Sequence, residues 1–294
     1  MIINSIIIYV ICDKIIMCFL IKIKYMIYKT FHFKKNINSC FKIILFLLMV
    51  ILQLNIAICD YLHYFEKITN YKLFYEHIDT DFKKHFSQFK KILILFDLDD
   101  TITYSNNNIA SGRPSFIDGL KLLLKNSINP IKEASSIWKK NKRNLIQKEI
   151  KDIIEFYANQ ETCFLIGITK GFSGRFGEIE NFPEVRIKEI KELGITFKSP
   201  IKKNFAIKQK TTLSFWIKKI TKGNPYFYEQ VLFTDQIEKG SCVEIFIDAM
   251  CEKPDCVIVF DDQQENIRSV GQICKKKQIP CFAYLCSIAQ NHIQ

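Results

Sequence analysis

Short apolar runs that alternate with helical patterns constrain the fold of this 294-residue chain more than any other feature. Uninterrupted apolar runs are typical of strands that are buried on both faces of a parallel sheet. Such runs lie at residues 92–96, 164–168, 231–233, 257–260 and 281–285. Helical patterns lie between or after them, at residues 184–193, 240–251 and 263–277. We therefore predict an α/β fold with a doubly wound, mainly parallel sheet.

Three other stretches do not follow this alternation. Residues 60–90 predict an N-terminal lead-in of short helices with aromatic faces. Residues 103–160 are long and largely helical, with candidate helices at 116–124 and 131–157, and residues 198–228 are Lys-rich, aromatic and irregular. We interpret the latter two stretches as insertions at the edge of the sheet. Because long insertions commonly cover a functional site, we expect the insertion at about 103–160 to lie over it.

The first 59 residues have the pattern of an export signal. Residues 43–52 are all apolar, lysines precede them, and small residues follow at Ala57 and Cys59. A basic segment, an apolar core and small residues in this order are typical of a signal peptide. We expect cleavage between Cys59 and Asp60, which leaves residues 60–294 as the mature protein.

Alternatives remain for this segment. Residues 1–25 form a further apolar stretch in front of a complete signal, which is explained if Met26 is the true first residue. An uncleaved membrane anchor is a second interpretation, although a spanning helix needs about 20 apolar residues. Acylation of Cys59 is a third, and it is disfavoured by the large Ile58 before it.

Composition and charge exclude several classes of protein. The chain is 48% hydrophobic and 24% charged, which excludes disorder and collagen-like sequence. The net charge of +12 arises from 42 Lys and Arg against 30 Asp and Glu, and half of it lies in residues 1–59. No dense basic stripe with interleaved aromatics remains, so nucleic acid is not an expected partner. Only 5 of the 42 basic residues are Arg, a bias that fits an AT-rich genome.

Cysteine and histidine provide no recognisable framework. Seven of the 11 cysteines follow residue 59, and none forms a C-x-x-C pair. An odd number excludes a complete disulfide framework, and several of these cysteines lie in apolar runs, as buried thiols do. The five histidines show no ligand spacing, so a structural zinc site is not expected.

Carboxylates follow the first predicted strand. Asp97, Asp99 and Asp100 come directly after residues 92–96. Ligands of open α/β sheets bind at the carboxyl ends of strands, so we expect Asp97 and Asp99 to converge there if the chain turns. Neighbouring acids repel each other unless a cation or a shared proton relieves them, and Mg²⁺ prefers hard oxygen ligands.

Other predicted strands also end in polar side chains. The run at 257–260 ends in Asp261 and Asp262, and the run at 164–168 ends in Thr169. Lys239 precedes Gly240, where a helix begins after the third predicted strand. Acids, a hydroxyl and an ammonium group at one edge of a sheet suit phosphoryl transfer.

These motifs resemble the four signature motifs of the haloacid dehalogenase (HAD) superfamily. The resemblance covers residues 92–286 and rests on D-x-D-x-T (Asp97, Asp99, Thr101), Thr169, Lys239 and Asp261-Asp262. The Lys-Gly pair after the third strand and the Ile-Pro pair before the last also resemble a subgroup of exported bacterial HAD-like proteins. The resemblance implies a HAD-like Rossmannoid fold with a helical cap inserted after the first predicted strand.

The resemblance also implies catalytic roles. Asp97 is implied as the nucleophile that forms an aspartyl-phosphate, and Asp99 as the acid/base that protonates the leaving oxygen and then activates water. An acid at the second position favours a phosphatase over a dehalogenase.

Binding roles follow from the same resemblance. Thr169 and Lys239 are implied to bind the phosphoryl oxygens, with Ser173 as a competitor for the role of Thr169. The implied Mg²⁺ ligands are Asp97, the backbone carbonyl of Asp99, Asp261 and, in support, Asp262. Either Glu265 or Asn266 stands where a further acid is common in the family.

The expected function is therefore an exported, Mg²⁺-dependent phosphohydrolase that acts on a small phosphomonoester through an aspartyl-phosphate. The alternative is a catalytically silent HAD-fold protein that is secreted and binds other proteins. A third interpretation is a membrane-anchored structural protein, which contacts the membrane only through residues 1–59 if these are not cleaved.

Overall fold

The computed structural model describes residues 62–105, 127–207 and 224–289, with side chains from residue 66 onward in the first range. All of them belong to one unit, Cys59–Gln294. The predicted signal or anchor, the alternative start at Met26 and the candidate helix at 116–124 lie outside the described residues, as does the middle of the Lys-rich stretch.

The described residues form ten strands and six helices. The strands are β1 (Leu62–Ile68), β2 (Ile92–Asp97), β3 (Thr103–Tyr104), β4 (Asn144–Leu145), β5 (Cys163–Thr169), β6 (Phe205–Ala206), β7 (Tyr226–Tyr228), β8 (Val231–Phe233), β9 (Cys256–Asp261) and β10 (Cys281–Cys286). The helices are α1 (Tyr71–His85), α2 (Pro130–Lys140), α3 (Glu149–Ala158), α4 (Phe182–Glu192), α5 (Lys239–Ala249) and α6 (Gln264–Lys277).

Eight of these strands form one sheet in the order β1-β10-β9-β2-β5-β8-β7-β6. The strands from β1 to β8 in this order are parallel, and β7 and β6 add antiparallel pairs at one edge. The prediction of an α/β fold with a mainly parallel sheet is confirmed.

Helices cover both faces of the sheet. Along β2, Ile92, Ile94 and Phe96 share a core with residues of α1, α3 and α4. The alternate residues Leu93 and Leu95 share a second core with residues of α5 and α6. An all-apolar strand results, because successive side chains point to opposite faces and both faces are buried.

The chain reverses direction across the sheet at β2. From β2 it continues to β5 and β8 on one side, and it then returns to β9 and β10 on the other. The switch point therefore lies between β2 and β9, whose last residues are Asp97 and Asp261. In open α/β sheets this is where ligands bind.

The lead-in differs from its prediction. Residues 60–90 were expected to form short helices, but β1 pairs with β10 as a parallel edge strand and α1 is a single helix. The side chain of Asn70 caps α1 by accepting hydrogen bonds from the amides of Lys72 and Leu73. β1 mixes polar and aromatic residues because it lies at an edge, so it lacks the apolar run that marks the central strands.

The prediction of one helix over 131–157 was wrong. α2 ends at Lys140, α3 begins at Glu149, and β4 between them pairs with β3. Asn141 ends α2 in an extended conformation, and its side-chain amide donates to the carbonyl of Ile137. α3 packs into the core, so we restrict the name insertion to the stretch between β3 and β4 (residues 105–143), of which the structure describes residues 105 and 127–143.

The described parts of the Lys-rich stretch are more regular than expected. β6 and β7 lie there and extend the sheet beyond β8. Their aromatic residues explain the order, because Phe205 and Phe227 pack on Phe246 of α5.

The cysteines of the described residues are unpaired, in line with their interpretation as buried thiols. Six of the seven are buried, and Cys251 is exposed.

Gly240 allows α5 and α6 to approach closely. A Cβ atom at this position would lie 2.3 Å from the backbone oxygen of Ser269. We expect Gly240→Ala to lower the free energy of unfolding by about 1–3 kcal/mol, although Ala is normally the better helix former. Urea unfolding measures this, with Ser241→Ala in the same helical turn as the control. Equal stability of the two variants would contradict the close contact.

Candidate functional site

A tight turn after β2 sets the direction of the acidic side chains. The carbonyl of Leu98 accepts hydrogen bonds from the amides of Ile102 (3.1 Å) and Thr103 (2.8 Å). Asp100 has φ of +62°, a left-handed conformation that Asp tolerates better than most residues, and its amide donates to the carbonyl of Thr103. The turn separates Asp97, at the end of the strand, from Asp99, which points to a different group of residues.

Three carboxylates converge at the switch point. Asp97, Asp261 and Asp262 can each offer an oxygen such that these atoms lie within 4.8 Å of one another. Asp97 and Asp261 are buried because they end two neighbouring strands beneath the loops that follow, and Asp262 is half-buried. We call these three residues the acidic cluster.

Lys239 bridges two members of the acidic cluster. It is the first residue of α5 and only 1% exposed. Its Nζ donates to Asp97 Oδ1 at 2.5 Å and to Asp261 Oδ2 at 2.6 Å. The ammonium group therefore ties β2 to β9 across the switch point.

A series of hydrogen bonds links Asp261 to the first turn of α5. The second oxygen of Asp261 accepts from the amide of Gln263 and from Nδ2 of Asn266, both at 2.9 Å. The carbonyl of Asn266 accepts from the Ser269 hydroxyl, whose oxygen accepts from the amide of Gly240. The close contact at Gly240 thus places Lys239 beside Asp261.

The two candidates for a further acid are separated by this geometry. Asn266 is buried and bonded to Asp261, whereas Glu265 is exposed on α6. Asn266 therefore belongs to the site as a positioning amide, and Glu265 lies outside it.

Charge in the acidic cluster is not balanced. Burial raises the pKa of Asp97 to about 7 despite the opposing effect of Lys239, and Asp261 raises it further. Burial, then Asp97 and Asp261, raise the pKa of Asp262 well above its usual range. Burial alone would lower the pKa of Lys239, but Asp261 and Asp97 raise it overall. Three carboxylates against one ammonium group form a hard-oxygen site that fits a divalent cation such as Mg²⁺.

Asp99 lies outside the acidic cluster and is held by other partners. Its Oδ1 lies 3.0 Å from Arg186 Nη2 and 3.3 Å from Arg143 Nε. Its Oδ2 accepts a hydrogen bond from the Thr169 hydroxyl at 3.2 Å. Both carboxylate oxygens are therefore engaged.

The two arginines, which are buried, form an ion-pair group with the half-buried Glu189. Glu189 Oε2 lies 2.6 Å from Arg186 Nη1 and 3.5 Å from Arg143 Nη1. The guanidinium of Arg143 stacks on the Trp138 ring, 3.6 Å from its centroid. Burial, and then the nearby Arg186, lower the pKa of Arg143 to about 10. We call Asp99, Arg143, Arg186 and Glu189 the arginine cluster.

Thr169 and Ser173 have different surroundings. The Thr169 hydroxyl is buried at the end of β5, where it donates to Asp99 and accepts from the amide of Gly171 at 2.9 Å. The buried hydroxyl of Ser173 has no hydrogen-bond partner among the residues that the structure describes. Its amide lies near Asp235 Oδ1, at the end of β8. Thr169 is thus the hydroxyl in contact with the predicted site.

The structure brings the residues singled out in the sequence to one edge of the sheet. They are Asp97, Asp99, Thr169, Lys239, Asp261 and Asp262. Sequence reasoning missed Arg143, Arg186 and Glu189. The scarcity of Arg was the available signal, because a chain that otherwise uses Lys has a geometric reason to keep Arg where a planar, forked donor is needed.

The raised pKa of Asp97 predicts a pH-dependent cost in stability. The folded protein holds a proton on Asp97 that the unfolded chain releases near pH 4, so stability should fall as the pH rises from about 4 to 7. In chelator, Asp97→Asn should remove the contribution of Asp97 to this dependence, whereas the contribution of Asp262 remains. The variant should therefore gain stability relative to the wild type by on the order of a few kcal/mol across that window. Urea unfolding at several pH values measures the difference. A constant difference would contradict the raised pKa.

Comparison with known proteins shows short local matches. A protein named "Putative outer membrane protein" from Chlamydia trachomatis serovar D is 33% identical over 70 residues, which cover 24% of this chain and 27% of that protein. A protein of the same name from Chlamydia muridarum is 37% identical over 54 residues, covering 18% of this chain and 21% of that protein. The matches thus span about a quarter of the relatives' length.

Within residues 62–105, 127–207 and 224–289, no helix combines the length and apolar character needed to cross a membrane. The model of one protein family matches residues 68–292, a range that contains the sheet from β2 to β10 and both clusters. Because this match covers most of the sequence, the chain belongs to the family described as "Protein of unknown function (DUF2608)".

Proposed function

We propose that the protein is an exported, Mg²⁺-dependent phosphohydrolase that acts on a small phosphomonoester through an aspartyl-phosphate. One observation carries the proposal: Lys239 bridges Asp97 and Asp261 at the switch point, with Asp262 beside them. A strand-end carboxylate next to an ammonium group and two more acids suits attack on phosphorus, because the attacking and departing oxygens both need compensation of charge.

In the first step, an oxygen of Asp97 attacks the phosphorus of the substrate. The bond from phosphorus to the leaving oxygen breaks, and Asp99 in its protonated form gives its proton to that oxygen. For this step one oxygen of Asp99 must give up the contact that it makes here with Arg186 or with Thr169. Thr169 and Lys239 bind the phosphoryl oxygens as charge develops on them. For this step the Lys239 ammonium group must share its contacts between Asp97 and the incoming phosphoryl group.

In the second step, a water molecule hydrolyses the aspartyl-phosphate. Asp99 takes a proton from the water, the water oxygen bonds to phosphorus, and the bond to Asp97 breaks. Inorganic phosphate leaves, and Asp97 and Asp99 return to their starting states.

Mg²⁺ fits the acidic cluster by its donor set and by its excess negative charge. Asp97, Asp261 and Asp262 would hold it, with the backbone carbonyl of Asp99 as the further ligand implied by the HAD resemblance. When bound, Mg²⁺ would offset the repulsion between the anionic nucleophile and the phosphoryl group.

A HAD-like assignment extends this proposal to the insertion. The insertion follows β3 in the chain and precedes β4, and Arg143 at its end lies beside Asp99. We assign the insertion as the cap of a HAD-like fold, which would select the substrate. The proposed export agrees with the signal pattern of residues 1–59 and with the names of the two chlamydial relatives.

The proposal is tested with the purified protein, an aryl phosphate and Mg²⁺, with and without chelator. We expect hydrolysis that depends on Mg²⁺ and is lost in Asp97→Asn. Asp248→Asn, an exposed acid on α5, is the matched control and should retain activity. Activity that is absent in the wild type would contradict the proposal and favour the non-catalytic interaction protein.

Asp99→Asn should allow the phosphorylated enzyme to be trapped. The amide keeps the shape of the side chain but removes proton transfer, a contribution of about 10²–10⁴-fold. An aryl phosphate has a good leaving group, so formation of the aspartyl-phosphate should suffer less than its hydrolysis. Mass spectrometry of acid-quenched protein should find the phosphoryl group on Asp97. Label on Ser, Thr or His would exclude this mechanism.

Lys239→Met should impair both turnover and stability. Loss of the ammonium group leaves phosphoryl charge uncompensated, and kcat/KM should fall by about 10²–10³-fold. It also leaves buried carboxylates unpaired, at a cost of about 3–5 kcal/mol in the free energy of unfolding. Steady-state kinetics and urea unfolding measure the two effects, with Lys275→Met on the exposed face of α6 as the control. Unchanged kcat/KM would transfer the role to another lysine, of which Lys170 is the first to test.

A further inference from the structure

The arginine cluster holds Asp99 from two separate parts of the chain. Arg186 lies on α4, in the layer that covers the sheet, whereas Arg143 is the residue directly before β4, at the base of the insertion. Both reach Asp99 Oδ1, at 3.0 and 3.3 Å. Arg186 therefore hydrogen-bonds this carboxylate from the core, and Arg143 forms an ion pair with it from the end of the insertion.

The position of Arg143 is fixed on both sides. β4 pairs with β3, and the amide of Ile146 donates to the carbonyl of Ile102 in the turn that carries Asp99. On the other side, the Arg143 guanidinium stacks on Trp138, which packs on Phe182 and Phe176. A planar side chain stacked on an aromatic ring has little freedom to turn away from its partner.

The arginine cluster is balanced in charge, unlike the acidic cluster. Two guanidinium groups face the carboxylates of Asp99 and Glu189, and both arginine side chains are only 1% exposed. Arg186 contacts both acids through different nitrogens, Nη2 to Asp99 and Nη1 to Glu189. Lysine has one terminal nitrogen and cannot reproduce this forked contact in the same geometry.

We propose that Arg143 and Arg186 are positioning residues that orient the ionised Asp99 carboxylate, the form that takes a proton from water in the second step, and that Arg143 makes this orientation depend on the insertion. The inference rests on the proposed function, in which Asp99 moves the proton in both steps. Both arginines contact Asp99, and we assign neither of them a contact with the substrate; each acts through Asp99. Thr169 completes the arrangement at the other carboxylate oxygen.

A double-mutant cycle tests the inference in the full-length protein. Arg186→Lys and Arg143→Lys should each lower kcat for aryl phosphate about 10-fold or more, with little change in KM and with phosphorylated Asp97 accumulating, because proton transfer needs an oriented group. In the Asp99→Asn background the same substitutions should change kcat less than about 2-fold, since residues that act as one unit are not additive. Arg175→Lys, at an exposed ion pair with Glu180, is the matched control.

The stability of each variant is measured as a separate control. Arg186→Met removes the shorter ion pair of each of the half-buried acids Asp99 and Glu189 and is expected to lower the thermal midpoint. The Lys variants therefore carry the kinetic test, and the midpoint is recorded for each. If Arg186→Lys lowers kcat equally with Asp99 and with Asn at position 99, or acts only on KM, the positioning role is wrong while the proposed function stands. If the wild type has no phosphatase activity and Asp99→Asn accumulates no phosphorylated Asp97, the proposed function fails and this inference fails with it.

Discussion

The ammonium group of Lys239 is the interaction on which the rest of the site depends. It lies between the last residues of two neighbouring parallel strands, where backbone geometry alone would place two buried carboxylates side by side. Without a cation there, the repulsion between Asp97 and Asp261 would oppose the pairing of β2 with β9. Three features place the Lys239 ammonium group between these carboxylates. They are the start of α5, Gly240, which lets α5 approach α6, and the amide of Asn266, which fixes Asp261.

Two polar centres that differ in charge balance lie next to each other at this edge. The acidic cluster has three carboxyl groups and one ammonium group, whereas the arginine cluster has two guanidinium groups and two carboxylates. Thr169 contacts the arginine cluster through Asp99. Asp97 belongs to the acidic cluster, and Asp99, two residues later, belongs to the arginine cluster. Asp97 and Asp99 are separated by a single residue in the sequence. Even so, Asp97 lies in the acidic cluster, whereas Asp99 is paired with the arginines.

Residues at the ends of buried strands could be predicted from the sequence, because the last residue of an apolar run indicates where the strand ends. Asp97, Thr169 and Asp261 follow from this rule, and Lys239 follows from the start of a helix. Arg143 and Arg186 could not be found in this way, since they reach the site from the base of an insertion and from the side of a helix. β1 was missed for a related reason: an edge strand is stabilised by pairing on one side and does not need a continuous apolar run.

The reactivity of the unpaired cysteines depends on whether the fold is intact. Six thiols of the described residues lie in the cores on the two faces of the sheet or in the strands themselves, and Cys251 alone is exposed. A thiol reagent therefore meets one accessible site in these residues of the native protein and further sites only after the layers separate. The number of thiols that react therefore shows whether the helices still cover the sheet.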